Sequence, residues 1–202
     1  DGSQQPAVKR LPVNVLLSPG KHRSYKSGFG YGTDTGGRVS LGYENRRLNK
    51  AGHQLKAETR FSELSSEAAV RYSLPVVNKG TDRLSFNSSY KHEQPADEGA
   101  LTQQRSELRL ERVKPRLRRS AYVAFEREEF ELGNQVESSK LLIPGAGISW
   151  INTTNRLRPK FGLSLSGDIH GAAEGVLADT TFLQLTTEVD TVWTFQPRWR
   201  LI

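Results

Sequence analysis

Apolar residues recur at every second position in a series of segments that are each about ten residues long. In one of them, Leu108 and Leu110 alternate with four charged residues, Arg105, Glu107, Arg109 and Glu111. The segment 83–92 alternates in the same way, with Leu84 and Phe86 among its apolar members. Successive side chains of a β-strand point to opposite faces, so each segment has one apolar and one polar face. The pattern therefore predicts an all-β fold.

Ten such segments follow one another with short connections, which predicts an antiparallel meander. They are 25–33, 38–45, 54–62, 67–76, 83–92, 102–113, 120–126, 141–152, 161–171 and 180–195. Only 35% of the residues are hydrophobic, and no run approaches the roughly 18 apolar residues of a transmembrane helix. A membrane β-barrel needs apolar residues only at alternate positions, and long alternating strands are typical of outer-membrane barrels. We therefore expect part of such a barrel, with a soluble β-sandwich as the alternative.

The cost of placing charge in lipid decides which face of these strands would point outward. If Arg105 and Arg109 met lipid near the midplane, each would cost about 2–4 kcal/mol. With Leu108 and Leu110 outward instead, four charged residues line a watery lumen: Arg105, Glu107, Arg109 and Glu111. The sequence thus predicts these four as lumen charges.

The turns alternate in charge along the chain. One set is rich in Lys and Arg, from Arg46 to Arg198, and it includes Arg118 and Arg119. The other set is rich in Asp and Glu, and it includes the acidic residues of 126–137. Alternate turns of a meander lie at opposite ends of the sheet, which predicts a basic rim and an acidic rim. Trp150 and Trp193 fall near the basic rim and are predicted to be interfacial aromatics.

Other functional classes find little support in the sequence. The net charge of +7 comes without a basic helix or an aromatic stacking motif, so no nucleic-acid partner is expected. Ser164, Ser166, Asp168 and His170 share one strand face, but two-residue spacing along a strand does not form a nucleophile–base–orienter chain. The histidines lack metal-ligand spacing. We predict no catalytic site, cofactor or metal.

Several motifs resemble a known family. The run Gly28-Phe29-Gly30-Tyr31-Gly32 is followed by Gly42-Tyr43-Glu44-Asn45, and later by 142–150 (LIPGAGISW), 158–162 (RPKFG) and 177–184 (LADTTFLQ). Together they resemble the start of the barrel in the Omp85 superfamily (bacterial surface antigen D15 family), most closely its translocation and assembly module branch. The resemblance implies that 1–22 ends a preceding POTRA domain and that 23–202 is the N-terminal part of the barrel. With about ten of about sixteen strands, and no methionine in the chain, we expect a fragment that forms an open sheet.

The same resemblance implies a function and its partners. Omp85 proteins are outer-membrane assembly factors that insert or translocate β-barrel proteins and autotransporters. The first strand would be a lateral gate, with Tyr25, Gly28, Phe29, Gly30, Tyr31 and Gly32 as its residues, because glycines weaken a strand. Expected partners are outer-membrane lipid, client outer-membrane proteins and an inner-membrane partner that binds upstream POTRA domains. A secretion pore of the same superfamily, and a passive porin-like channel or barrel enzyme, remain alternatives; the glycines could instead only accommodate curvature or bulky neighbours.

Overall fold

A computed structural model describes residues 20–33, 36–94, 99–133, 135–153, 160–196 and 199–201. Within them lie eleven strands: β1 (Arg23–Gly32), β2 (Gly36–Asn45), β3 (Gln54–Ser62), β4 (Ser65–Pro75), β5 (Asp82–Glu93), β6 (Ala100–Val113), β7 (Leu117–Leu132), β8 (Gln135–Thr153), β9 (Phe161–Ala172), β10 (Phe182–Gln196) and β11 (Trp199–Leu201). No helix in these ranges has the length and apolar character needed to cross a membrane. The predicted POTRA remnant falls largely on residues 1–19, outside the described residues.

The strands form one sheet in which each pairs antiparallel with its neighbours in sequence, from β1 to β11. Within the described residues β1 has β2 as its only partner strand, so the sheet is open. All ten predicted strands are present, and the predicted all-β, open antiparallel meander is confirmed. A second sheet, which a β-sandwich requires, does not occur among the described strands.

The hairpin of β7 and β8 is longer than the sequence pattern predicts. The predicted segments were 120–126 and 141–152, whereas the two strands pair continuously from Leu117↔Trp150 to Leu132↔Gln135. The acidic residues of 126–137 therefore lie in strands and not in a turn, and Arg118 and Arg119 open β7. The error has a physical cause: beyond residue 126 charged and polar residues occur on both faces of this hairpin, so no sustained apolar–polar alternation marks the strands.

Cross-strand register sorts the side chains onto two faces. One row across six strands is mainly apolar: Leu55, Tyr72, Phe86, Leu108, Val123 and Pro144. The adjacent row on the opposite face begins with Lys56, Arg71, Asn87 and Glu107. We call the two sides of the sheet the apolar face and the polar face.

The polar face is the concave side of the sheet. A cavity of about 570 Å³ is lined from Lys26 on β1 to Glu126 and Glu128 on β7, which a flat sheet would not allow. On the apolar face, large side chains remain exposed, among them Phe29 at 82% and Leu183 at 76%. The small buried cluster of Ala124, Ile143, Ala172 and Ala178 lies mostly on the polar face. The molecule therefore presents its hydrophobic surface outward, as a membrane protein does.

Candidate functional site

The free edge of β1 presents backbone hydrogen-bonding groups at alternate residues. β1 pairs with β2 over ten residues without a register shift, from Arg23↔Asn45 to Gly32↔Gly36. Just before this ladder, the Arg46 backbone N–H donates to the His22 carbonyl at 2.9 Å. Hydrogen-bonded pairs alternate along an antiparallel ladder, so even-numbered residues of β1 bond to β2. The N–H and C=O groups of four odd-numbered residues point to the free edge: Tyr25, Ser27, Phe29 and Tyr31.

The side chains of β1 divide sharply between its two faces. Tyr25, Phe29 and Tyr31 lie on the apolar face and are 73%, 82% and 81% exposed. On the polar face the strand has Gly28, Gly30 and Gly32. A Cβ added to Gly30 would meet no atom within 4 Å, so no bulky neighbour requires this glycine. At Gly28 an added Cβ would approach Ser40 Oγ at 2.6 Å, and that hydroxyl is free to rotate away.

The glycines on the polar face of β1 lower the stability of this strand. Glycine in a strand interior costs roughly 0.5–1 kcal/mol relative to alanine, and three glycines lie at alternate positions here. A bulky neighbour does not account for Gly30, where an added Cβ would lie in open space. A glycine-rich strand that has β2 as its only partner among the described residues would suit a lateral gate; that role remains a prediction.

The four predicted lumen charges lie together on the polar face of β6. Glu107 is 8% exposed and accepts hydrogen bonds from Arg109 Nε at 2.6 Å and from Arg105 Nη2 at 3.1 Å. Arg105 also pairs with Glu126 on β7, and Glu111 pairs with Arg118 Nε at 3.4 Å. The buried carboxylate of Glu107 is thus compensated by two guanidinium groups, as a buried charge requires.

A hydrogen-bonded bridge links β7 to β9 across the polar face of β8. The Tyr122 hydroxyl donates to Asp168 Oδ1 at 2.8 Å, and the Arg109 guanidinium stacks 4.2 Å from the centre of the Tyr122 ring. The ring lies over Gly145, where an added Cβ would overlap it. Only glycine leaves room for the Tyr122 ring above β8, so the hydrogen bond from Tyr122 to Asp168 depends on Gly145.

Sequence reasoning missed this bridge. The sequence feature that points to it is the pair Gly145 and Gly147. These glycines alternate on one face of β8, opposite Tyr122 and Ser120. Without the register between strands, these glycines could not be assigned to a neighbour. The polar face of β6–β9 is therefore cross-linked by side chains, whereas that of β1 has glycine at Gly28, Gly30 and Gly32.

The polar row on β9 does not assemble a catalytic triad. His170 Nδ1 lies 2.9 Å from Asp168 Oδ1, but the Ser166 hydroxyl is directed to Glu188 Oε2 at 3.5 Å. No serine hydroxyl is hydrogen-bonded to His170 among the described residues. Nor do the described ranges contain a group of three His, Asp or Glu side chains that could hold a metal ion.

Both predicted interfacial tryptophans lie on the apolar face near the same end of the sheet. Trp150 is opposite Leu165, and Trp193 is opposite Phe161, with the two rings edge to face at 6.2 Å. Tyr25 and Tyr43 pack at 5.2 Å at this end of β1 and β2. The aromatic row is where a membrane interface would be expected, and the interfacial role remains a prediction.

The two ends of the sheet differ in charge. The turns at the basic end contain seven described cations: Arg46, Arg47, Lys50, Lys79, Lys114, Arg116 and Lys160. Those at the other, acidic end contain Glu63, Glu174 and Asp179. At the basic end the Glu44 carboxylate accepts a hydrogen bond from Arg46 Nε at 2.8 Å, which raises the pKa of that guanidinium above its usual range. Arg156, Arg158, Arg198, Asp34, Asp97 and Glu98 lie outside the described residues.

Comparison with known proteins supports the fold. No protein-family model matches the chain. The crystal structure of BamA from Haemophilus ducreyi lacking POTRA domains 1–3 superimposes with a TM-score of 0.68 over 87% of this chain, at 14% sequence identity. The chain spans 38% of that BamA chain. The likeness shows that the open sheet has the fold of part of a BamA-like barrel.

Proposed function

We propose that this chain is part of an outer-membrane assembly factor that helps to insert or translocate β-barrel and autotransporter proteins. The observation that carries the proposal is the glycine-rich strand β1, whose odd-numbered backbone groups point away from β2, in a sheet that resembles part of BamA. A client strand would add to this edge by β-augmentation. The residues of the lateral gate are Tyr25, Gly28, Phe29, Gly30, Tyr31 and Gly32.

The chemistry of the gate is hydrogen bonding and burial. Inside a bilayer an unpaired backbone group costs several kcal/mol, because lipid offers it no partner. An incoming strand that bonds to the odd-numbered residues of β1 satisfies groups on both chains. Its apolar side chains then join the apolar face beside Tyr25, Phe29 and Tyr31. Strand pairing and burial supply the free energy, so the proposed reaction is not enzymatic and uses no cofactor.

The distribution of charge supports one orientation of the sheet in the membrane. The polar face, with Arg105, Glu107, Arg109 and Glu111, lines the lumen, and the apolar face contacts outer-membrane lipid. The basic end and the aromatic row that includes Trp150 and Trp193 face the periplasmic leaflet, where cationic side chains meet anionic headgroups. The acidic end, with the long β7–β8 hairpin, faces the outside.

Within the superfamily, the sequence motifs favour the translocation and assembly module subunit TamA over a BamA-type factor or a two-partner secretion pore. The motif that includes Gly28 to Gly32 is the most specific of them. A TamA-type protein would act on autotransporters and would engage its inner-membrane partner TamB through POTRA domains upstream of β1. Crosslinking of the purified protein to TamB, with BamA complex subunits as competitors, separates these assignments.

A pair of disulfide crosslinks tests the gate. One joins a cysteine in β1 to the strand that closes the barrel against it; the other joins cysteines at Phe86 and Leu108, which are directly opposite each other on β5 and β6. The first should block client assembly until it is reduced, because only the gate must separate. The second should be harmless, because the interior ladder stays paired throughout. Equal tolerance of both crosslinks would refute the gate.

A further inference from the structure

Two arginines on the polar face, near the basic end, have amide rather than carboxylate partners. Arg71 Nε donates to Asn87 Oδ1 at 2.6 Å, and Arg83 Nη1 donates to Gln54 Oε1 at 2.6 Å. Asn87 Nδ2 in turn donates to Glu107 Oε1 at 3.4 Å, which orients the amide. Neutral oxygens hold the two guanidinium groups in place without cancelling their charge.

The carboxylates around these arginines are already paired with other cations. The ion pairs are Glu44 with Arg46, Glu58 with Lys56, Glu107 with Arg105 and Arg109, and Glu111 with Arg118. Glu111 is the cross-strand neighbour of Arg83, but its ion pair is with Arg118. No ion pair of the described residues includes Arg71, Arg83 or the nearby turn residue Lys79. This part of the polar face therefore has uncompensated positive charge.

The two arginines reach across neighbouring strands on the polar face of β3–β5. Gln54 lies on β3 and Arg83 on β5, so the Arg83 side chain crosses β4 to reach it. Ser73, on the polar face of β4 between them, is only 6% exposed. Arg71 lies two residues from Ser73 on the same strand and face, and its Nε atom is directed to Asn87 on β5. Both arginines line an open cavity of about 670 Å³.

We propose that this cavity, the Arg71–Arg83 pocket, binds an extended acidic peptide segment that has carboxylates at alternate positions. Alternate side chains of an extended chain point to the same face, so two carboxylates at alternate positions can both face the two guanidinium groups, whereas adjacent ones cannot. Arginine binds carboxylate through paired hydrogen bonds, and a preorganised guanidinium loses less freedom when it does so. The pocket lies close to the basic end, from which such a segment would enter.

The inference depends on the polar face of β3–β5 and not on client assembly at β1. The two arginines lie on β4 and β5, whereas the free edge is that of β1. Peptide binding and client assembly can therefore be measured separately. If peptide binding is absent but clients are assembled, the pocket proposal has failed. If the peptide binds but clients are not assembled, the proposed function has failed.

The test is fluorescence anisotropy with labelled ten-residue peptides and the protein in nanodiscs. The probe has Glu at two alternate positions; its controls have Gln at these positions or two adjacent Glu residues. We expect the alternate Glu peptide to bind, and the double variant Arg71→Gln, Arg83→Gln to bind it about tenfold more weakly. The matched control is Arg60→Gln, because Arg60 is also on the polar face but is paired with Glu67 at 2.9 Å; it should change affinity less than about twofold.

The outcomes discriminate clearly. Equal binding of the Gln peptide, or an unchanged affinity in the double variant, would overturn the proposal. So would displacement of the peptide by inorganic phosphate at equal concentration, since that would indicate a site for any anion. An unchanged heat-modifiable band on gel electrophoresis shows that the variants retain the folded sheet.

Discussion

Replacing Ser27 with proline should impair client pairing while it leaves the β1–β2 ladder intact. Ser27 is opposite Leu41 in a pair that is not hydrogen-bonded, because the bonded pairs are the even-numbered ones, such as Gly28↔Ser40. Its N–H therefore points to the free edge. Proline is tolerated in an edge strand where its missing N–H faces outward. Gly28→Pro, by contrast, would remove a bond to β2.

The magnitude follows from one hydrogen bond in a medium that cannot replace it. Without the Ser27 N–H, a carbonyl of the client strand has no donor at that position. A buried acceptor left unsatisfied costs about 1–3 kcal/mol, which corresponds to roughly 5- to 150-fold in an equilibrium or a rate. Because the gate is weakly paired at rest in this account, the loss falls mainly on the complex with the client.

The assay compares initial rates at which a client becomes heat-modifiable in proteoliposomes that contain equal amounts of each variant. Ser27→Ala retains the N–H and should stay within about twofold of the parent protein. A disulfide between cysteines at Phe29 and Val39, which are directly opposite, reports that β1 is still paired with β2. The reasoning would be refuted if Ser27→Pro assembled clients at the parent rate while Gly28→Pro did not.

Three further predictions concern the remainder of the sheet, and each is measured by urea unfolding in liposomes. Gly145→Ala should destabilise the sheet by about 1–3 kcal/mol, because its Cβ displaces the Tyr122 ring; an unchanged free energy would show that the ring can move freely. Tyr122→Phe should cost about 1–2 kcal/mol through loss of the bond to Asp168, unless that bond contributes nothing. Leu108→Lys on the apolar face should cost about 2–4 kcal/mol, whereas Ser89→Lys on the polar face should cost less than about 0.5 kcal/mol; equal costs would contradict the assignment of the faces.

The sequence was sufficient for the strands whose two faces differ. In β3, and over 105–111 of β6, charged residues alternate with uncharged ones, so both the strand and the direction of its faces could be predicted from residues such as Leu108 and Glu107. The same rule failed at the outer part of the β7–β8 hairpin. There Arg127 and Lys140 are opposite each other on the apolar face. The strands are extended by backbone pairing, which does not require a periodic pattern in the sequence.

The candidate site was predictable in its composition but not in its geometry. The glycines from Gly28 to Gly32 could be identified directly as a weak strand. Which backbone groups point to the free edge depends on the register with β2, which residue types do not encode. The bridge from Tyr122 to Asp168 spans 46 residues of sequence, and only the sheet order brings the two side chains together.

The central claim, that clients pair with the free edge of β1, is tested most directly by photo-crosslinking during client assembly. A photoreactive amino acid replaces Ser27 in β1 or, as a matched control, Ser88 in β5. Both serines lie on the apolar face, but Ser88 is paired on both sides, with Val70 and Ser106. The account predicts a crosslinked client at position 27 and none at position 88. Equal crosslinking at both positions, or none at position 27, would contradict it.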